Sequence, residues 1–147
     1  MSDRYQSTHQ PPTGTKPAAT YVYETAEGLR SYCVDRYEWP APDGTRRKSF
    51  RCWRSVSHKR SYDLKGVRRL LYRLPALRAA IATGVEPIYI TEGEKDADTV
   101  GKAGAVATTM PHGAGKWVGA HERAYLLQLA GAKRIIVIAD RDGPAKQ

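Results

Sequence analysis

Apolar, β-branched residues gather in two short runs, Pro87-Ile-Tyr-Ile-Thr91 and Arg134-Ile-Ile-Val-Ile-Ala139, and each run gives way to acids: Glu92, Glu94, Asp96 and Asp98 after the first, Asp140 and Asp142 after the second. Short apolar runs without alternation are the pattern of strands buried on both faces of a parallel sheet. A third run, Ala105–Thr109, lies between them. The spacing predicts a helix over Lys95–Ala103 ended by Gly104, and another over Val118–Ala130 ended by Gly131, with Tyr125, Leu126, Leu127 and Leu129 as its packed residues. The order is strand, helix, strand, helix, strand, with right-handed crossovers expected. Upstream, Val67, Leu70, Leu71, Leu74, Leu77 and Ile81 fall at helical spacing, but Pro75 divides them. A proline is accommodated in a first turn and not mid-helix, so the helix is placed from Pro75 to Thr83, capped by Gly84.

The N-terminal half has a period of two. Tyr21–Thr25 and Arg30–Trp39 read as a hairpin turning near Glu27-Gly28; Pro40–Gly44 makes a second turn and Lys48–Arg54 a third strand. A small antiparallel sheet follows, with Val22, Cys33, Val34 and Trp53 as its expected core. Residues 1–19, rich in Ser, Thr, Gln and Pro, are expected to form a disordered leader. The division is thus 1–19 leader, 20–64 small basic β-rich region, and 65–147 an α/β domain with a parallel βαβαβ sheet and helices on its faces.

Length and composition, 147 residues with 41% hydrophobic, allow one ordinary domain with an appendage. No run of eighteen apolar residues occurs and Met1–Tyr5 lacks a signal-peptide core, so a cytoplasmic protein without membrane contact is expected. Cys33 and Cys52, with no Cys-x-x-Cys, give neither a disulfide framework nor a zinc pattern.

Charge changes this picture because it is unevenly placed. Between Arg46 and Arg78 stand twelve Lys and Arg and the single acid Asp63, a local net of +11 in a chain of net +9, so everything outside that window sums to −2. A basic patch beside Phe50, Trp53, Tyr62 and Tyr72 suits an anionic polymer, with phosphates met by cations and bases by stacking. The competing reading is a solvated surface whose aromatics are core.

The acids suggest chemistry of a different kind. Carboxylates at the ends of parallel strands collect at the edge where ligands bind in open α/β sheets. Glu92, Asp96, Asp140 and Asp142 are the candidate active site. Asp140 and Asp142, two apart, leave the same face of extended backbone, and Asp96 falls on the first turn of the helix after Gly93. Few, hard oxygen ligands suit Mg²⁺ (or Mn²⁺) completed by waters and substrate phosphates, which implies phosphoryl or nucleotidyl transfer. A plainer reading makes Thr91-Glu92-Gly93-Glu94 a capping box, with Thr91 as N-cap, and Asp140–Pro144 a turn. Arg68, Arg69, Arg73, Lys95 and Lys116 are candidate contacts for nucleic-acid or nucleotide phosphate. The loop Pro111–Lys116 is not a nucleotide P-loop, since Met110 stands where the first glycine is needed and Trp117 where Ser or Thr is.

The pair Glu92-Gly93-x-x-Asp96-Ala97 and Asp140-x-Asp142, each behind an apolar strand, resembles the Toprim domain of bacterial-type primases, topoisomerases and related nucleases. Leu71-Tyr72-Arg73-Leu74-Pro75-x-Leu77, Thr91–Asp98 and Gly113-Ala-Gly-Lys-Trp117 are similar in order to the Toprim region of phage and mobile-element primases or primase-helicases. The resemblance spans about Lys65 to Gly143. It implies that Glu92 is a general acid or base, and that Asp140 and Asp142 bind Mg²⁺ with Asp96 or Glu92. It also implies RNA primer synthesis from ribonucleoside triphosphates on single-stranded DNA, with a helicase domain or protein as a further partner. Toprim domains continue with a helix and another strand where Gly143–Gln147 follows here. The domain is therefore expected to be C-terminally incomplete, with the edge of the Ile135–Ile138 strand open. A Toprim nuclease and a non-catalytic nucleic-acid-binding fragment are the alternatives.

Overall fold

The computed structural model describes residues 9–112 and 119–140, and the chain divides into two compact units, Met1–Arg68 and Arg69–Gln147. Lys116 and Asp142 therefore lie outside the described residues.

The first unit is a four-stranded antiparallel sheet in the order β1-β2-β3-β4: β1 Ala19–Glu24, β2 Arg30–Pro40, β3 Arg46–Val56 and β4 Lys59–Ser61. The β1–β2 turn closes through Thr25 N–H on Leu29 O (2.8 Å), with Gly28 at φ 84, a conformation open to glycine at little cost. β3 is longer than expected at both ends, and β4 was not anticipated. The two are joined by Ser57-His58, both at positive φ (49 and 63), the backbone of a type I′ hairpin turn. Such turns are usually signalled by Asn-Gly, and Ser-His carries no such mark. The expected leader is described from His9 onward. Thr15 N–H bonds Pro12 O (3.1 Å), and Ala18 N–H bonds Arg36 O (2.7 Å), prolonging the β1–β2 ladder.

Cys33, Val34 and Trp53 are buried as expected, but Val22 is 37% exposed, and Tyr21 and Tyr23 point inward instead. β1 is an edge strand with one covered face, and its phase sets Tyr23 against Tyr32, where the rings stack at 4.8 Å and 12°. β2, in contrast, is buried on both faces from Tyr32 to Asp35.

The second unit is α/β. Its elements are α1 Leu74–Ala82, β5 Ile88–Thr91, α2 Glu94–Lys102, β6 Val106–Thr108, α3 Glu122–Gln128 and β7 Ile135–Ile138. The strands form a parallel sheet in the order β6-β5-β7, registering Ile88 with Val106 and Ile135, and Thr91 with Ile138. α1 begins one residue before Pro75, at the place the proline permits, after Arg73 at φ 59 and ψ 35. Ile88 and Ile90 of central β5 are buried, with Leu71, Leu77 and Met110 in the same core. α3 is shorter than the periodicity suggested, and of its expected packed residues Tyr125 and Leu129 are buried while Leu126 and Leu127 are exposed. Gln128 secures it: its side-chain amide donates to Arg69 O (2.9 Å) and accepts from Leu71 N–H (2.7 Å). Among the described residues no helix is long and apolar enough to cross a membrane.

Candidate active site

Parallel register determines where the carboxylates go. Thr91 pairs with Ile138, Glu92 follows Thr91 directly, and Asp140 follows Ile138 by two residues, so both acids leave the same edge of the sheet from neighbouring strands. Neighbouring strands lie about 4.8 Å apart. Glu92 is half-buried and Asp140 exposed. α2 then begins at Glu94 with Gly93 as N-cap in extended conformation (φ −148). A Cβ placed on Gly93 would meet Asp96 Oδ2 at 3.7 Å, so the Asp96 carboxylate folds back over the helix start, towards the residue after Glu92. An acid in this first turn is also favoured by the helix dipole.

The capping box does not form. Thr91 Oγ1 donates to Gly93 O (2.9 Å) instead of receiving a helix N–H, and Gly93 caps α2 without any side chain. The remaining acids of the run have other roles. Glu94 is buried, and Asp98 accepts from the Tyr72 hydroxyl (3.0 and 3.3 Å) with Arg73 Nη1 at 4.0 Å. Burial holds the Tyr72 phenol well above its ordinary pKa, and the Asp98 carboxylate raises it further.

Three buried threonines fix this edge, and sequence reasoning missed them. Thr109 Oγ1 donates to Thr91 O (2.7 Å), Thr108 Oγ1 donates to Tyr72 O (2.7 Å), and Tyr72 N–H donates to Thr109 O (2.8 Å). Carbonyls at the ends of β5 and of the Leu70–Tyr72 segment are thereby satisfied without water. A Thr-Thr pair closing a strand was the only signal available.

The expected phosphate contacts separate. Lys95 is exposed on the first turn of α2, beside Asp96, and Arg68 is exposed in the first unit. Arg69 is buried, contrary to an exposed role. Arg73 is turned onto α2, donating to Ala97 O (3.3 Å). Among the described residues no three His, Cys, Asp or Glu side chains stand together as a metal group; Asp142, the fourth candidate carboxylate, is outside them.

No family model, curated protein or solved structure matches the chain.

The basic residues of the first unit line β3 and β4, and several are answered by acids outside the Arg46–Arg78 window. Glu38 pairs with Arg36 (2.6 Å) and Arg46 (3.6 Å), Asp43 with Arg47 (3.9 Å), and the fully buried Asp35 with Arg60 (2.9 Å). Guanidinium groups also occupy the aromatic faces: Arg60 lies 4.0 Å and Arg30 5.9 Å from the Trp53 centroid, Arg36 5.8 Å from Phe50, and Arg51 4.9 Å from Tyr62. Trp53 and Tyr72 are buried, so they are core residues and not stacking platforms. Tyr62 carries Arg51 over one face of its ring and is still 49% exposed.

Proposed function

We propose that this chain carries a Toprim-type active site for metal-dependent nucleotidyl transfer, the primase reaction, using ribonucleoside triphosphates on single-stranded DNA. One observation carries the reading: the β5–β7 register brings Glu92 and Asp140 to the same sheet edge on adjacent strands, with Asp96 over the start of α2. The donors are all hard oxygens, which suits Mg²⁺ or Mn²⁺, with water and phosphate oxygens completing the shell. Asp140, Asp142 and Asp96, with Glu92, would hold the ion. Once bound it would neutralise charge on the triphosphate.

The residues themselves then divide the work. Glu92, half-buried at the strand exit, takes the proton of the attacking 3′-hydroxyl as that oxygen bonds to the α-phosphorus and the bond to pyrophosphate breaks. Lys95 meets phosphate oxygens at the edge. The basic strands β3 and β4 hold the template. Primer synthesis on single-stranded template tests this: Glu92→Gln and Asp140→Asn are each expected to abolish extension while DNA binding persists. Extension by either variant would refute the assignment, and template shortening in place of extension would assign a nuclease.

A second reading, a nucleic-acid-binding module without catalysis, is favoured by the basic residues of β3 and β4 lying in a compact unit separate from the carboxylates. Full DNA binding with no metal-dependent product from the wild type would select it.

A further inference from the structure

We propose that Tyr72 and Arg73 are positioning residues for the carboxylate edge: they tie the turn of α2 that follows Asp96 to the ends of β5 and β6, and so set where Asp96 stands relative to Glu92. The inference rests on the metal-site reading above and adds two residues that the carboxylate pattern does not contain. The start of α2 sets its direction only weakly. Its N-cap, Gly93, is extended (φ −148, ψ 166), no side chain caps the helix, and Thr91 Oγ1 bonds Gly93 O (2.9 Å) instead. A helix joined to its strand through a glycine can pivot unless it is held further along.

That hold comes from the segment before α1. The backbone of Tyr72 is fixed on both sides, its N–H donating to Thr109 O (2.8 Å) and its carbonyl accepting from Thr108 Oγ1 (2.7 Å). Thr109 Oγ1 in turn donates to Thr91 O (2.7 Å), at the end of β5. The three threonines are buried, so these bonds meet little competition from water. From this anchored backbone two consecutive side chains reach α2. The Tyr72 hydroxyl donates to the Asp98 carboxylate (3.0 and 3.3 Å), and Arg73 Nη1 donates to Ala97 O (3.3 Å) and stands 4.0 Å from Asp98 Oδ1. Bonds to charged groups of this kind are stronger than neutral ones. Ala97 and Asp98 directly follow Asp96, whose Oδ2 lies over the helix start, 3.7 Å from where a Cβ on Gly93 would stand. A shift of about 1 Å in this turn is enough to spoil the geometry of a reacting site. Two further features fit the role. Arg73 holds a left-handed backbone (φ 59, ψ 35) that side-chain-bearing residues seldom adopt, and Gly101, inside α2, leaves the space that the guanidinium takes.

Calorimetric titration of Mn²⁺ and primer extension, on the full chain and at a temperature where circular dichroism shows every variant folded, test this. Tyr72→Phe loses the bond to Asp98, and Gly101→Ala displaces the guanidinium. Each is expected to weaken Mn²⁺ binding about tenfold. Each is also expected to lower kcat about tenfold with KM for the template unchanged. Arg78→Met is the control: it loses bonds to Gln128 O (3.1 Å) and Ala130 O (2.7 Å), away from α2, and is expected to bind Mn²⁺ like wild type. Gly101→Ala decides the matter if Tyr72→Phe does not fold, because added helix propensity offsets the bond it breaks. Wild-type affinity in either variant, or an equal loss in Arg78→Met, would overturn the positioning role and leave the metal site standing. No Mn²⁺ bound by wild type would overturn both. Mn²⁺ binding without extension by wild type would refute nucleotidyl transfer alone, and the affinities then decide the positioning role.

Discussion

The guanidinium of Arg73 lies where a side chain at Gly101 would begin: a Cβ built on Gly101 would stand 1.8 Å from Arg73 Nη1. This glycine therefore sits inside α2 because α2 is crossed by an arginine that also bonds Ala97 O and approaches Asp98. Alanine at 101 would gain about 1 kcal/mol of helix propensity but displace the guanidinium, losing a hydrogen bond worth about 1 kcal/mol. Gly101→Ala is thus expected to be nearly neutral in wild type and to stabilise the Arg73→Ala variant by about 1 kcal/mol. Denaturant titration of the four proteins measures the difference; equal effects in both backgrounds would disprove the coupling.

Asp35 is a buried carboxylate that accepts from Thr20 Oγ1 (2.6 Å) and Arg60 Nη1 (2.9 Å). Removing Arg60 leaves that carboxylate without its cation, whereas removing Arg51 loses a half-exposed cation–π contact with Tyr62 and an exposed hydrogen bond to Gln10 Oε1 (3.2 Å). Arg60→Met is expected to destabilise the first unit by about 2 kcal/mol and Arg51→Met by under about 1 kcal/mol. Thermal melting ranks them, and the reverse order would contradict the assignment.

Binding of single-stranded DNA is expected to weaken steeply with salt, with a log–log slope of about −0.7 for each phosphate neutralised. Tyr62→Ala should cost about 1 kcal/mol or more through lost base stacking, at little cost in stability. Trp53→Phe should leave affinity unchanged once folding is allowed for, since the indole is buried. Fluorescence anisotropy at several salt concentrations checks all three statements.

Burial and Asp98 raise the Tyr72 phenol in the folded state, so the fold favours its neutral form. The stability this contributes is complete below the ordinary tyrosine value of about 10 and is lost as pH rises through the folded value. Tyr72→Phe is expected to cost about 1 kcal/mol near neutral pH, through the lost bond to Asp98, and to lose less stability than wild type on going to about pH 11. Tyr37 in the other unit is also raised, by burial and then by Asp35, so the comparison with wild type isolates Tyr72. Identical alkaline losses would contradict the shift.

The β5 run was legible because a strand flanked by partners in the same sheet leaves an unmixed apolar record; β7 carries the same record but lies at the sheet edge with Ile135, Val137 and Ile138 exposed, against the expectation of burial on both faces, and parallel pairing carries Glu92 and Asp140 to one edge. Pro75 and Gly104 likewise marked helix limits within a residue or two. The failures share a cause in partners remote along the chain. Val22 reads as inward because alternation gives a period without a phase. β4 was missed because Ser57-His58 adopts a turn that its residues do not advertise. Arg69 and Arg73 looked like free cations, since nothing local reveals that one is buried and the other is drawn onto α2. The capping box failed because Thr91 is committed to the strand end, where its carbonyl receives Thr109.

The central claim is that carboxylates from adjacent strand ends share one cation. Titration of Mn²⁺ into wild type, Glu92→Gln and Asp140→Asn, followed by calorimetry, addresses it directly. One ion bound by wild type, with affinity at least about tenfold weaker in each variant, a loss of about 1.4 kcal/mol, is the expected result. Equal binding by all three proteins, or none by wild type, would contradict it.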